Sequence, residues 1–158
     1  MKCSRAGQVL LAVLSCALFS AQGAFAQAPS PPKPDPTHIP FVLPKDIAWR
    51  RNDSGEWTAP LFGDPSKPGI YGVLIKWEPG HNSMPHMHST DRYAYVISGN
   101  WWVSSSMVYD PATLYPIPAG SYVEDVANQV HWDGARGEPA VLILVGEGPV
   151  ITKAAPGN

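Results

Sequence analysis

Cysteine is almost absent from this sequence of 158 residues, and charge is sparse. The only cysteines are Cys3 and Cys16, so the rest of the chain has neither a disulfide nor thiolate chemistry to offer. Charged residues make up 15% of the sequence, and the formal net charge is −2. No cluster of lysine and arginine occurs, which removes the usual electrostatic signature of nucleic-acid binding and of attraction to anionic membranes. We therefore expect neither kind of partner.

Long apolar runs are also missing, with one exception between residues 9 and 19. This run is shorter than the ~20 residues of a membrane-spanning helix. It follows two positive charges and precedes the A-x-A pattern at 24–26, the order typical of an export signal. The sequence predicts a signal peptide at 1–26, a mature chain starting at Gln27 and a periplasmic or secreted bacterial protein. A lipid on Cys16 is the alternative, but it is disfavoured because Leu14 occupies a position where lipoproteins prefer a small residue.

Proline, in contrast, is abundant after the signal. Seven prolines between residues 28 and 44 remove backbone donors and favour an extended polyproline conformation. We interpret 27–44 as a linker, in preference to a ligand for a proline-recognition domain. The predicted domain covers 45–150, and residues 151–158 form a C-terminal tail.

Glycine and proline interrupt the remaining sequence so often that long helices are excluded. The pieces between them are rich in β-branched and aromatic residues, which favours strands. Turn residues recur at the short spacing of an all-β sandwich or barrel. The predicted strands are 70–77, 92–97, 101–103, 121–126 and 140–145.

Two histidines, His86 and His88, are separated by one residue. In a strand this spacing places both imidazoles on the same face, where they can share one ion. His131 follows another predicted strand and could close the site from across a barrel. Neutral imidazole suits Zn, Fe, Cu and Ni. The alternative is that these are ordinary hydrogen-bonded histidines, and the pair alone does not decide between the two. His38 and His81 lack spaced partners and are interpreted as solvated.

Around this pair the sequence resembles the first cupin motif. Gly80, His86, His88 and Gly99 occur at the motif's spacing, but Arg92 stands where the motif usually has glutamate.

A second stretch is similar to the second cupin motif in spacing, with Gly120 and His131 in place. Val126, Asn128 and Ala135 replace the usual proline, glycine and asparagine. Asn128 is a mild change, since asparagine tolerates the left-handed backbone that such a turn requires. The resemblance covers residues 60–149 and implies a single-domain cupin, a small β-barrel of the double-stranded β-helix or jelly-roll type.

The resemblance also implies a metal site on His86, His88 and His131. The fourth cupin ligand, a carboxylate, does not carry over, because the guanidinium of Arg92 has no lone pair to donate. The implied site has three histidines, as in the thiol dioxygenase branch of the cupins. Without an anionic ligand, Zn²⁺ or Fe²⁺ is favoured over Mn²⁺. Three histidines also leave an open coordination position, as in catalytic zinc sites.

Arg92 permits two interpretations. A carboxylate or enolate of the substrate could bridge the ion and the guanidinium. Alternatively, Arg92 pairs with a protein carboxylate, the candidates being Asp91, Glu124, Asp125 and Asp133. No suitably spaced glutamate or tyrosine stands beside the histidines as an acid or base, and strand alternation turns Tyr93 and Tyr95 away from Arg92.

The function expected from these features is that of an exported metalloenzyme, dioxygenase-, isomerase- or lyase-like, acting on an anionic or polar small molecule. The competing hypothesis is a non-catalytic exported protein that binds a metal or small ligand. The expected partner is a small molecule bearing a carboxylate, and the oligomeric state, a homodimer included, stays open. The cupin barrel supports several chemistries, so the sequence leaves the reaction unspecified.

Overall fold

The computed structural model describes residues 30–157. The chain divides into two units, Met1–Pro40 and Phe41–Asn158. The described part of the first unit, residues 30–40, is exposed and forms neither strand nor helix. The predicted signal peptide at 1–26 lies outside the described residues. Within residues 30–157 no helix has the length and apolar character needed to span a membrane.

The second unit is built almost entirely of strands, as the dense glycine and proline breaks predict. Two single-turn 3-10 helices, Pro44–Asp46 and Pro111–Thr113, are the helical elements of its described residues. The strands are β1 (Arg50–Arg51), β2 (Glu56–Phe62), β3 (Gly69–Trp77), β4 (His86–His88), β5 (Arg92–Ser98), β6 (Asn100–Ser104), β7 (Tyr115–Pro118), β8 (Tyr122–Asp125), β9 (Trp132–Gly134), β10 (Ala140–Gly148) and β11 (Thr152–Ala154).

These strands form three antiparallel sheets. The largest has the strand order β1-β2-β3-β10-β5-β8, and two smaller sheets have the orders β7-β6-β9 and β11-β4. The first three strands of the large sheet are consecutive in sequence, whereas β10 lies between β3 and β5 and joins distant parts of the chain. The sheets are packed as a jelly roll, so the predicted all-β fold is confirmed.

The barrel interior follows from strand alternation. In β10, Ala140, Leu142 and Leu144 point inward and are buried, whereas the residues between them are partly exposed. The same alternation in β5 buries Ala94 and Val96. These side chains pack with aromatic residues of β3 and β6 in one core between the sheets. The outward positions of β5 include Tyr93 and Tyr95, which are exposed as predicted.

At two positions in turns, a positive φ angle explains the residue found there. Gly99, between β5 and β6, has φ of 72°, and a side chain there would meet the carbonyl of Pro139. Asn128 has φ of 60°, the left-handed conformation that asparagine was expected to accept. The sheets also extend past residue 150, because Thr152–Ala154 forms β11 and pairs with β4.

Candidate metal centre

Two neighbouring backbone segments hold the three histidines. His86 and His88 are the ends of β4, and His131 immediately precedes β9. The amide of His86 donates to the carbonyl of His131 at 2.9 Å, and the amide of His131 donates back to His86 at 2.9 Å. This reciprocal pair fixes the third histidine beside the first two.

The imidazole rings converge. Ring centroids are 4.8 Å apart for His86 and His88, 4.5 Å for His86 and His131, and 5.3 Å for His88 and His131. One nitrogen from each ring lies within 4.8 Å of the others. The structure thus brings together the three histidines that the sequence singled out, and nitrogens this close can coordinate a single ion after a small contraction.

Each Nδ1 atom faces a hydrogen-bond partner. The Nδ1 of His86 lies 2.7 Å from the Met84 carbonyl oxygen, and that of His131 lies 3.2 Å from the Gln129 carbonyl. The Nδ1 of His88 lies 2.9 Å from the hydroxyl of Thr152 on β11. When Nδ1 carries the proton for such a bond, the lone pair is left on Nε2, the form a metal requires.

The Nε2 of His88 is buried and lacks a hydrogen-bond partner within residues 30–157. A buried polar nitrogen without a partner is costly, and it calls for an explanation such as an ion. Burial, followed by the charge of Arg92 and the other two histidines, lowers the pKa of His88 to about 2. Burial also lowers the pKa of His86. Both rings are therefore neutral around pH 7, as metal ligands must be.

Arg92 pairs with Asp125, one of the four carboxylates considered for it. The guanidinium donates from Nε to Oδ2 at 2.6 Å and also from Nη2 to the same oxygen. The other carboxylate oxygen lies 3.2 Å from the Nδ1 of His131. Asp125 therefore balances the charge of Arg92 and orients a histidine, the arrangement that second-layer carboxylates adopt at metal sites.

One cavity adjoins His86 and His88, and a second adjoins the first. The first has a volume of about 390 Å³, and the second, of about 470 Å³, is lined by residues of β2 and β3 among others. Glu56 and Arg92 line both, so the cavities share a wall. His131 faces a smaller cavity of about 210 Å³ on its other side.

Asp133 is a buried carboxylate in the wall of the first cavity. Its Oδ2 accepts from the indole nitrogens of Trp77 at 2.8 Å and Trp101 at 2.7 Å, and its Oδ1 accepts from the Ser83 hydroxyl at 2.9 Å. Three donors compensate for the lost hydration of this anion. Asp133 adds negative potential to the cavity but has little capacity for a further ligand.

The other two histidines of the described residues take no part in the cluster. His81 lies outside the histidine cluster, with Nε2 3.3 Å from Nη2 of Arg51, and His38 lies in the first unit beside Asp35. Glu124 is exposed on β8. No acid beside the histidines was predicted from the sequence, yet Glu56 lines the cavity of His86 and His88. β2 carries it there from thirty residues upstream, a distance that no motif spacing records.

Comparison with known proteins supports the fold. No family model and no curated protein matches the sequence. Solved structures do match, including the polyketide cyclase RemF from Streptomyces resistomycificus, with a TM-score of 0.57 and 15% identity over 70% of this chain and 82% of that one. A sugar phosphate isomerase of the cupin superfamily from Silicibacter pomeroyi gives a TM-score of 0.57 and 16% identity over 74% and 82%. An RmlC-like cupin from Shewanella frigidimarina gives 0.53 and 16% over 68% and 88%.

These similarities cover 68–74% of this chain. At such low identity they speak for the fold and not for a reaction. Together with the two motifs in the sequence, they show that this chain has the cupin fold.

Proposed function

We propose that the protein is a metalloenzyme that binds one divalent ion through His86, His88 and His131 and acts on a small polar or anionic molecule. The observation that carries this proposal is the buried Nε2 of His88, which lacks a hydrogen-bond partner among residues 30–157 and lies beside two further imidazoles. Three neutral nitrogen donors suit Zn²⁺ or Fe²⁺ better than Mn²⁺. When bound, such an ion supplies Lewis-acid polarisation or activation of water or O₂.

The chain's own residues would bind and orient the substrate. The adjoining cavities are large enough for a small molecule, and their shared wall carries the guanidinium of Arg92. Although Asp125 balances its charge, Arg92 retains N–H groups beyond those used in that pair. We assign it the binding of a substrate carboxylate or other oxygen anion, because charge-assisted hydrogen bonds favour such groups.

We also propose that the protein acts outside the cytoplasm, after removal of residues 1–26. The order of positive charge, apolar run and A-x-A pattern supports this. Mass spectrometry of the exported protein should find an N-terminus at Gln27. An intact Met1, or a lipid on Cys16, would contradict it.

Single replacements of His86, His88 and His131 by alanine test the metal site. Each should lose the ion and lower the Tm measured in the presence of that ion, because a ligand that binds only the folded state stabilises it. His38→Ala and His81→Ala are matched controls and should change neither quantity. Full metal occupancy in all three cluster variants would refute the site.

These experiments do not distinguish an enzyme from a non-catalytic binding protein, which is the alternative function. Metal-loaded protein incubated with small carboxylates, catechols and thiols separates the two functions. Turnover of any member supports the enzyme, whereas binding without turnover supports the binding protein.

A further inference from the structure

Three carboxyl groups lie near the histidines, and two of them are saturated with donors. Asp125 accepts from Arg92 and faces His131. Asp133 accepts from two indoles and a hydroxyl. The carboxylate oxygens of both are therefore already engaged with protein donors. The third, Glu56, is held differently.

Glu56 begins β2 and is partly buried. The one side-chain hydrogen bond to its carboxyl group within residues 30–157 comes from Asn52 Nδ2 to Oε2, at 2.7 Å. No salt bridge reaches it within the same residues, since the ion pairs of the cavity wall are centred on Asp125. Glu56 therefore has one carboxylate oxygen that accepts no side-chain hydrogen bond within the described residues, and it lines both cavities, including the one that His86 and His88 line.

We propose that Glu56 is the catalytic residue that transfers protons to and from the substrate in this cavity. This rests on the proposed function, which it deepens by naming a substrate class: small molecules with a C–H bond next to a carbonyl or carboxylate group. Such a C–H bond is the kind that a single carboxyl group can exchange when the adjacent oxygen is polarised.

The step is balanced without a co-reactant. The Glu56 carboxylate takes the proton of the C–H bond, and the electron pair of that bond stays on the substrate as an enolate. The resulting carboxylic acid returns the proton to the same or a neighbouring atom of the substrate, which restores the carboxylate. Return of the proton to the same carbon gives hydrogen exchange or epimerisation, return to a neighbouring atom gives isomerisation, and no oxidant or reductant is consumed.

The charges around Glu56 support this role. Besides the two cavity histidines, the titratable and charged groups lining these cavities with it are Arg50, Asp64, Tyr71, Arg92 and Asp133. Burial, and then the negative charge of Asp133, raise the pKa of Glu56 to about 7, while Asn52 and Arg92 act in the opposite direction. A carboxyl group poised near neutral pH can both donate and accept a proton, which general acid–base catalysis requires.

Carbon-13 NMR of protein labelled at the glutamate side-chain carboxyl tests the protonation directly. The sequence has five glutamates. In the metal-free protein one carboxyl signal should titrate near pH 7, and it should be missing from Glu56→Gln but present in the exposed control Glu147→Gln. Zn²⁺ should lower its midpoint by about one pH unit, because a cation in the same cavity favours the carboxylate. A midpoint near 4.5, or a midpoint unaffected by Zn²⁺, overturns the proposal.

Hydrogen exchange in D₂O tests the transfer itself. Zn²⁺-loaded protein is incubated with pyruvate, 2-oxoglutarate and dihydroxyacetone, and loss of the C–H signal next to the carbonyl is followed by proton NMR. At least one probe should exchange, and Glu56→Gln should slow this about 100-fold at unchanged zinc content while Glu147→Gln matches the wild type. Exchange at the wild-type rate in Glu56→Gln, or exchange of no probe, overturns the assignment.

The two proposals fail in different ways. A wild-type protein that takes up no Zn²⁺ refutes the proposed function, and the role of Glu56 falls with it. If zinc binding depends on His86 but Glu56 titrates as an ordinary carboxyl group, the proton-transfer role is refuted and the proposed metal site is not.

Discussion

Removing the carboxylate of Asp125 perturbs both stability and the metal centre through a single side chain. Its carboxylate pairs with Arg92 and lies 3.2 Å from the Nδ1 of His131. The side chains of Arg92 and Asp125 are only 15% and 7% exposed, so water screens the pair weakly. Asp125→Ala leaves a guanidinium in the barrel wall without its anion.

The expected magnitude follows from that burial. Loss of one partner of a buried ion pair costs about 3–5 kcal/mol, because the remaining charge is neither hydrated nor paired. This is a large part of the ~5–15 kcal/mol that stabilises a typical domain. Loss of a carboxylate that orients a metal-binding histidine lowers metal affinity about 10- to 100-fold. Asp125→Ala should therefore lower both the free energy of unfolding and the affinity for Zn²⁺.

Urea unfolding of the metal-free protein measures the first effect, and zinc titration against a competing chelator measures the second. Asp46→Ala is a matched control, since its ion pair with Lys45 is exposed and should contribute within about 1 kcal/mol.

The double variant Arg92→Met/Asp125→Leu separates the two roles of Asp125. Removing both charges should restore most of the stability. Zinc affinity should stay low, because His131 has still lost its partner. If Asp125→Ala unfolds like the wild type and binds zinc equally well, the ion pair neither stabilises the barrel nor orients the histidine, and the reasoning is refuted.

Three further predictions concern single side chains. Thr152→Val removes the hydroxyl beside the Nδ1 of His88 and should weaken zinc binding about tenfold in the chelator titration. The unfolding free energy measured in urea should change by about 1 kcal/mol or less. Unchanged zinc affinity would show that β11 does not orient His88. Because the pKa of Glu56 is raised from 4.5 to about 7, the folded state binds the extra proton between those values, so the contribution of Glu56 to the unfolding free energy of the metal-free protein should fall by up to about 3 kcal/mol as pH rises from 4.5 through 7. The lowered pKa values of His86 and His88 act in the opposite direction below pH 6.5, so the contribution is measured as the difference in unfolding free energy between the wild type and Glu56→Gln. That difference should change across this pH range, and a difference independent of pH would contradict the assignment. Arg92→Ala should lose no more zinc affinity than Asp125→Ala does. It should weaken oxalate binding to the zinc-loaded protein by about 1.5–3 kcal/mol, measured by calorimetry. Equal oxalate affinity in the variant and the wild type would show that Arg92 is only a structural partner of Asp125.

Much of the fold could be predicted from local patterns. Glycine and proline spacing excluded long helices, and alternation placed Tyr93 and Tyr95 on the outside of β5, where they lie. The motif spacings also predicted that His86, His88 and His131 form one cluster, as they do. Short-range patterns succeed here because strand geometry fixes which neighbours share a face.

The surroundings of the histidines were harder to predict, since they depend on pairing between distant strands. Asp125 was one of four candidate partners for Arg92, and the register of β5 against β8 selects it by placing the two residues opposite each other. Thr152 reaches His88 because β11 pairs with β4, a contact between segments more than sixty residues apart. Glu56 enters the cavity for the same reason, through the pairing of β2 with β3.

Elemental analysis of protein purified without an affinity tag, combined with the three histidine variants, tests whether His86, His88 and His131 hold a metal ion. The wild-type protein should contain about one divalent ion per chain, zinc or iron. His86→Ala, His88→Ala and His131→Ala should lose that ion, and His81→Ala should retain it in full. Wild-type protein that remains metal-free after incubation with Zn²⁺ or Fe²⁺, or cluster variants that hold a full equivalent, would contradict this assignment.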